Sequence, residues 1–328
     1  MIDVARVAGV SAQTVSRVLS GHPNVTERTR EKVEAVVNEL GYRKNNAARM
    51  LSSGRTHALG VVLLQTHFYS RTAITVGIEE AATAAGYTVS AATTSSLDAE
   101  EIEAALSRLA DQRVEGVVLA LPLLRTTRAI EEFAAATPTI AINGSRARKS
   151  EVVAIDQARI ARLATEHLLE LGHRTVWHVS GPMEWQDAAS RSDGWRSTLN
   201  AAGITPPPIL EGDWSPASGY RSGLILGRID EVTAVFAASD EMAFGVIRAL
   251  HELGKSVPGD VSVVGVDDIE LAEYCSPSLT TVAQPFAMIG KHAVNHLLQA
   301  IESPAAEPEC GDIRPSLMIR TSTSAPPR

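Results

Sequence analysis

The segment Val4-Ala5-Arg6-Val7-Ala8-Gly9-Val10-Ser11-Ala12-Gln13-Thr14-Val15-Ser16-Arg17-Val18-Leu19 decides how this chain must be read. Val4, Ala5, Val7 and Ala8 form one apolar helical stripe, and Thr14, Val15, Val18 and Leu19 resume the same spacing after a break. Gly9 can take the positive φ of a tight turn, and Ser11 is a good N-cap for the second helix. The geometry expected is helix–turn–helix. A third helix is predicted over 27–40, with Thr26 at its start, Val33, Val36, Val37 and Leu40 on one face, and Gly41 closing the C-terminus. Three such helices suffice for a small core.

The second helix presents Ala12, Gln13 and Arg17 early and on one face, where a recognition helix meets base edges. Gln can bond adenine bidentately, Arg can take guanine O6 and N7, and an Ala methyl can touch a thymine methyl. Ser11, Thr14 and Ser16 suit phosphate oxygens. Charge agrees with this. The whole chain carries 30 basic and 38 acidic residues, but its first 55 residues hold nine basic and five acidic ones. A basic head on an acidic body confines polyanion contact to the head.

From Ala58 onward, short β-branched runs alternate with amphipathic helical stretches. Strands are predicted at 59–64, 88–92, 116–120, 139–142, 152–155, 175–179, 234–237, 262–266 and 316–320. Helices are predicted at 75–85, 99–111, 160–171, 191–201, 243–253 and 288–302. Alternation of this kind gives parallel sheets with right-handed crossovers, and so many strands fit two doubly wound lobes better than one. The fold class expected is α/β, with an N-terminal helix-turn-helix head and a ligand cleft between the lobes. Residues 43–56 link head to body. Within them 45–51 can form one or two helical turns, too short to be stable unless docked against a partner. Residues 321–328 are polar and Pro-rich, and fraying is expected there.

Several function classes are excluded. The longest apolar runs, such as 58–64, are far below the length of a membrane span, and the start lacks the features of a signal peptide, so a cytoplasmic, nucleoid-associated protein is expected. Cys275 and Cys310 are too few for a disulfide framework or a thiolate metal site. No G-x-G, P-loop, H-E-x-x-H or G-x-S-x-G occurs, so no enzyme motif and no cofactor are indicated. His292 and His296 share a helical face but have no third ligand at a fitting spacing; no metal site is expected. Asp267-Asp268 follows a strand without a partner acid or nucleophile, which favours binding over catalysis.

The residues of the head, with Gly41-Tyr42 and the segment 45–51, closely resemble the lactose repressor (LacI/GalR) family of bacterial transcription regulators. The resemblance continues through Leu168-Leu169-Glu170-Leu171-Gly172-His173, Glu211-Gly212-Asp213-Trp214-Ser215, Asp240-Glu241-Met242-Ala243, Asp260 to Asp268, and Pro277 to Val282 with Gln284. It covers essentially the whole chain, and the run from Gly212 to Gly219 looks most like the galactoside-responding members. The domains implied are a DNA-binding head at 1–44, a hinge helix and linker at 45–57, and an effector-binding and dimerisation body at 58–328 with crossovers near 156, 284 and 314.

What the resemblance implies for sites follows residue by residue. Asn45 would cap a hinge helix, Ala47 and Ala48 would let two such helices pack closely in the operator minor groove, and Leu51 would wedge into the central base step. Asn143, Arg191 and Asp267 would hold sugar hydroxyls, Trp214 would be the flat apolar platform for a pyranose ring, and Gln284, Phe286, Phe68 and Ile74 would complete the wall. Two departures stand out: Ser239 replaces an asparagine that usually touches ligand, and Arg71 adds charge near the cleft. Met1 falls where the first helix begins, so its usual cap is absent and an upstream start is open. Leucine heptads of the kind that tetramerise some members are missing near the C-terminus, so a homodimer is expected on a pseudo-palindromic operator. The function implied is a repressor of sugar-catabolism genes, released by a small sugar and specifically a β-galactoside. Another sugar, a purine-like co-repressor or a sugar-binding transport protein are the alternatives.

Overall fold

The computed structural model describes residues 1–19, 22, 24–42, 55–66, 69–143, 151–303 and 313–327. The chain divides into two compact units, Met1–Thr56 and His57–Arg328. In the first, α1 (Ile2–Ala8), α2 (Ala12–Leu19) and α3 (Glu27–Glu39) enclose a core of Val4, Ala5, Ala8, Val15, Val18, Val33 and Val36. Gly9 ends α1 at φ 60°, in the left-handed conformation that glycine adopts without penalty. Ser11 Oγ accepts the Thr14 N–H at 3.0 Å and caps α2. Thr26 stands at the start of α3 but makes no side-chain cap; its hydroxyl instead meets Thr29 Oγ1 at 2.8 Å. Gly41 follows α3 at φ 56°, with its N–H bonded to Asn38 O.

The second unit begins with β1 (Ala58–Leu64), a near-continuous apolar run buried on both faces, as a central parallel strand requires. Then come α4 (Tyr69–Ala84), β2 (Thr88–Thr94), α5 (Ala99–Asp111), β3 (Gly116–Ala120), α6 (Arg128–Ala136), β4 (Thr139–Ile142) and β5 (Glu151–Val153). These strands form a parallel sheet in the order β2-β1-β3-β4-β5. The chain next builds α7 (Gln157–Glu170), β6 (Trp177–Ser180), α8 (Gln186–Ala201), β7 (Leu210–Glu211), α9 (Pro216–Leu226), β8 (Ala234–Ala237), α10 (Asp240–Glu252), β9 (Ser262–Asp267), α11 (Leu271–Tyr274) and β10 (Thr280–Ala283). It returns to pack α12 (Phe286–Glu302) on α4, and ends in β11 (Ser316–Met318). The second sheet runs β11-β10-β9-β8-β6-β7. It is parallel except at its edge, where β10 and β11 are antiparallel, a pair that the strand–helix alternation did not foreshadow.

Polar caps set where the helices facing the cleft begin. Asp156 accepts the Arg159 N–H at 2.8 Å for α7, Ser215 caps α9 ahead of Pro216, and Ser239 accepts the Met242 N–H at 3.2 Å for α10. One apolar core continues through the crossovers, from Leu59, Val61 and Ile78 in the first lobe to Trp195 and Phe236 in the second.

Helices α9 and α10 touch backbone to backbone. A Cβ on Gly245 would lie 2.0 Å from Pro216 O, and one on Gly219 would lie 2.1 Å from Met242 O. On an exposed helix Gly→Ala gains about 1 kcal/mol. Here the clash reverses the sign, and Gly245→Ala is expected to destabilise the body by about 3 kcal/mol. Thermal unfolding checks this: a raised midpoint in the variant would contradict the packing described.

Candidate functional site

In the head, the buried and exposed faces of α2 separate cleanly. Val15 and Val18 are buried in the core, while Ala12, Gln13, Ser16 and Arg17 face solvent and Thr14 is half-buried. Ser11 is exposed as well, but its oxygen already serves the cap and meets Thr14 Oγ1 at 2.9 Å. The exposed set carries one amide and one guanidinium within two helical turns, the donor chemistry that base edges demand. The expectations for Asn45, Ala47, Ala48 and Leu51 in the hinge, and for Phe68 in the cleft, fall outside the described residues.

In the body, two adjoining hollows lie between the lobes. One is lined by Leu64, Ser70, Arg71, Ile74, Asn143, Trp185 and Asp187 among others. The next is lined by Arg191, Trp214, Ser239, Glu241, Asp267, Gln284 and Phe286 with Ser70, Trp185 and Asp187. Charged, amide and aromatic side chains converging on one cleft are the lining that a small-molecule site uses. Every described residue expected in the cleft is therefore found along it. The lobes also touch across its rim: the Gln186 N–H donates to Pro122 O at 3.1 Å, Leu123 bridges Trp185, and the Tyr69 N–H reaches Glu241 Oε1 at 3.5 Å.

Arg191, on the inner face of α8, is buried and held by two hydrogen bonds and an aromatic ring. Its Nε donates to Gln157 Oε1 at 2.8 Å, its Nη1 donates to Ala238 O, and its guanidinium carbon lies 5.3 Å from the centroid of the Trp214 ring. Gln157 Nε2 donates to Gln284 Oε1 at 3.1 Å, and Gln284 Nε2 donates to Asp267 Oδ1 at 2.5 Å. Gln157 opens α7 after the first crossover and Gln284 lies on the second, so one hydrogen-bonded chain joins both crossovers to the cleft. Trp214 is also packed tightly against Gly181, where a Cβ would come within 2.2 Å of the indole. With Arg191 over its ring, Trp214 is a buried platform already occupied by a guanidinium, and the half-buried Trp185, 5.8 Å away between centroids, adds a second aromatic surface.

Asn143 accepts the Ile155 N–H on its Oδ1 at 3.0 Å, holding the crossover while facing the cleft. Ser239 spends an acceptor lone pair on its cap and keeps its hydroxyl proton to donate. Of the described non-glycine residues with positive φ, Asn143 (51°), Trp214 (68°) and Asp267 (113°) all line this cleft. Strain of this kind persists where surrounding structure imposes it, and it aims side chains that a relaxed backbone would not.

Electrostatics sharpen the picture. Burial pushes the Asp267 carboxyl up to about 7, with Arg191 opposing the rise and Glu241 adding to it. Asp187 is raised, again chiefly by burial, against the pull of Arg191 and a hydrogen bond from Asn143. Asp240, which accepts from Thr281 Oγ1 at 2.6 Å and from the Ile269 N–H at 2.9 Å, is raised well above its ordinary value by burial and by Asp267. Perturbed acids gathered in a cleft mark a functional site. Sequence reasoning missed Gln157, Trp185 and Asp187. The helix expected from 191 begins at Gln186, which places Asp187 one turn before Arg191. Arg320 Nη2 pairs with Asp268 at 2.8 Å, so the second acid of the Asp267-Asp268 pair fastens the sheet edge. His292 and His296 stand with ring centroids 6.4 Å apart, and no group of three or more metal-ligating side chains occurs among the described residues. No described helix is long and apolar enough to cross a membrane.

Comparison with known proteins places these features. The profile of the bacterial regulatory proteins, lacI family, matches residues 1–45, and that of the periplasmic binding protein-like domain matches residues 165–323. The lactose operon repressor of Escherichia coli (strain K12) is 34% identical over 99% of this chain and 91% of its own length. The ribose operon repressor of the same organism is 32% identical over 98% of this chain and 99% of its own. A crystal structure of the Lac repressor dimer bound to operator and the anti-inducer ONPF superposes with a TM-score of 0.87 at 33% identity, over 98% of both chains. With a head and a two-lobed body that both match, the chain belongs to the LacI family of bacterial regulatory proteins: it is a DNA-binding transcriptional repressor under small-molecule control, and not an enzyme.

Proposed function

We propose that this repressor binds a pseudo-palindromic operator as a homodimer, controls genes of sugar catabolism, and leaves its operator when a small sugar, a β-galactoside, fills the cleft. The observation that carries this reading is the grouping of Arg191, Asp267 and Gln284 beside Trp214 and Trp185. Paired donors and acceptors next to aromatic faces are what a pyranose ring with its hydroxyls requires. The likeness to the lactose operon repressor over nearly its full length favours a galactoside among sugars.

In this reading residues 1–44 are the DNA-binding head, 45–57 the hinge and linker, and 58–328 the effector body. Two recognition helices enter successive major grooves, since two-fold protein symmetry dictates half-site symmetry. The paired hinges place Leu51 in the minor groove, where unstacking is offset by wider contact. Exposed Leu271 and Tyr274, on one helix beside a groove lined by Phe244 and Ile247, give the body an apolar face suited to a second copy. Sugar binding shifts the lobes, and operator affinity falls by the ligand's differential affinity for the two states.

Tryptophan fluorescence titrated with galactosides, glucosides and nucleobases tests the effector class. A saturable change with galactosides that also releases operator supports the proposal; a response to a nucleobase that tightens operator binding replaces it with the co-repressor reading. For the head, Gln13→Ala is expected to weaken operator binding roughly 10- to 100-fold and relax its sequence preference, as the loss of one bidentate base contact does. Mobility shifts on matched and altered operators read this out. Sugar affinity stays unchanged, and unaltered operator binding would remove Gln13 from the base-reading set.

A further inference from the structure

Among the described residues, Asp187 is the one common to both hollows of the cleft and to a third behind it at the crossover, lined also by Asp156, Gln157 and Ser190. Its Oδ1 is shut off from solvent and, despite the hydrogen bond that Asn143 lends the carboxyl group, has no hydrogen-bond partner among the described residues. A buried acceptor left unmade is costly, and a ligand donor that reaches it recovers that cost.

The cations around it spend only part of their five N–H donors within the protein. Arg191, one turn further along α8, directs Nε to Gln157 and Nη1 to Ala238 O. Arg71, the guanidinium lining the outer hollow, donates Nη1 to Thr66 O at 2.9 Å. The Gln284 amide donates to Asp267. Three acids, Asp187, Glu241 and Asp267, line the cleft against the two guanidinium groups.

We propose that Asp187 sets the charge selectivity of the cleft: its free Oδ1 accepts a hydroxyl of an uncharged sugar, and its carboxylate turns away sugar phosphates and sugar acids. This rests on the reading of the cleft as a sugar site. It assigns to Asp187 a part that neither its position nor its type announced in the sequence.

The test uses the full-length protein, wild type and Asp187→Asn. Intrinsic fluorescence is titrated with methyl β-galactoside, galactose 6-phosphate and galacturonate, and melting is recorded to show that the variant folds. The wild type is expected to prefer the neutral galactoside by ~30-fold or more, the scale of a like-charge penalty in a closed site. Asp187→Asn is expected to weaken the neutral ligand by ~10-fold, the value of a hydrogen bond to a charged group, and to narrow the preference over the anions to within about threefold. A purely structural role would lower all three affinities together and leave their ratio in place. An unchanged ratio, or wild-type protein that takes either anion as tightly as the galactoside, overturns the role of Asp187 while keeping the sugar site. No response to any of the three overturns the sugar reading itself, and this proposal with it.

Discussion

Arg191→Ala is expected to abolish release of operator by the effector while operator binding persists. The guanidinium donates to Gln157 Oε1 and Ala238 O, lies over Trp214, and acts electrostatically on the buried Asp267 and the half-buried Asp187. Its removal deletes charged hydrogen bonds to ligand and scatters the groups that remain, so effector affinity should fall at least ~100-fold. It also strands buried acids, and the body should lose about 3 kcal/mol of stability. The head has its own core of Val4, Ala8, Val15, Val18 and Val33, which leaves operator recognition intact. Arg191→Lys separates the two effects: it keeps a cation beside Asp267 but loses the fork geometry, so it should fold better and still respond poorly. Mobility shifts with and without sugar, alongside urea unfolding, provide the measurements. A variant that folds and is released normally would take Arg191 out of the site.

Asp267→Asn is expected to trade function for stability. The Asp267 carboxyl, ordinarily at 3.8, stands at about 7 in the folded protein because burial penalises its charge. A group whose folded value is raised takes up a proton on folding between those two values. At pH below 3.8 it is protonated in both states and costs nothing; the cost of the buried charge grows from there and is complete above pH 7. Asparagine keeps the shape without the charge, so the variant should gain roughly 4 kcal/mol at pH 8, and the gain should vanish near pH 4. The gain is then a function of pH, which a packing effect would not be. Effector affinity should fall ~100-fold at pH 8, because a charged acceptor for paired hydroxyls is lost. Unfolding curves at the two pH values and fluorescence titration at pH 8 decide the matter. A variant less stable than wild type at pH 8 would show that the charge is better compensated than described.

Much of the architecture was legible because the body writes its strands as unbroken apolar runs. Ala58–Leu64, Gly116–Ala120, Thr139–Ile142 and Ala234–Ala237 need no tertiary information to be found. What escaped were elements whose signal is weak by themselves. Leu210–Glu211 is too short to show a period, Pro216–Leu226 is punctuated by Gly219 and Gly223 that exist for its close contact with α10, and Thr280–Ala283 alternates too briefly between turns. The solvent-exposed face of α2 could be read from its spacing alone. The cleft could not: Asn143 and Trp214 come from separate loops and Asp267 from the end of β9, all at positive φ, and they were proposed through resemblance to a family. Gln157 and Asp187 show the limit of that route. Their importance lies in one hydrogen bond made and one left unmade, and neither leaves a mark on composition or periodicity.

The chain of side chains from Arg191 through Gln157 and Gln284 to Asp267 has a consequence for how such a protein can diversify. The same atoms that would grip an effector also brace the two crossovers that join the lobes. A lineage that adapts to a new inducer by replacing Arg191 or Asp267 alters the stiffness of its own hinge in the same step. New specificity is therefore most accessible at positions that meet the cleft but lie outside this brace, such as Arg71, Trp185 and Ser239. Divergence among sensors of this build should accumulate around the brace long before it enters it.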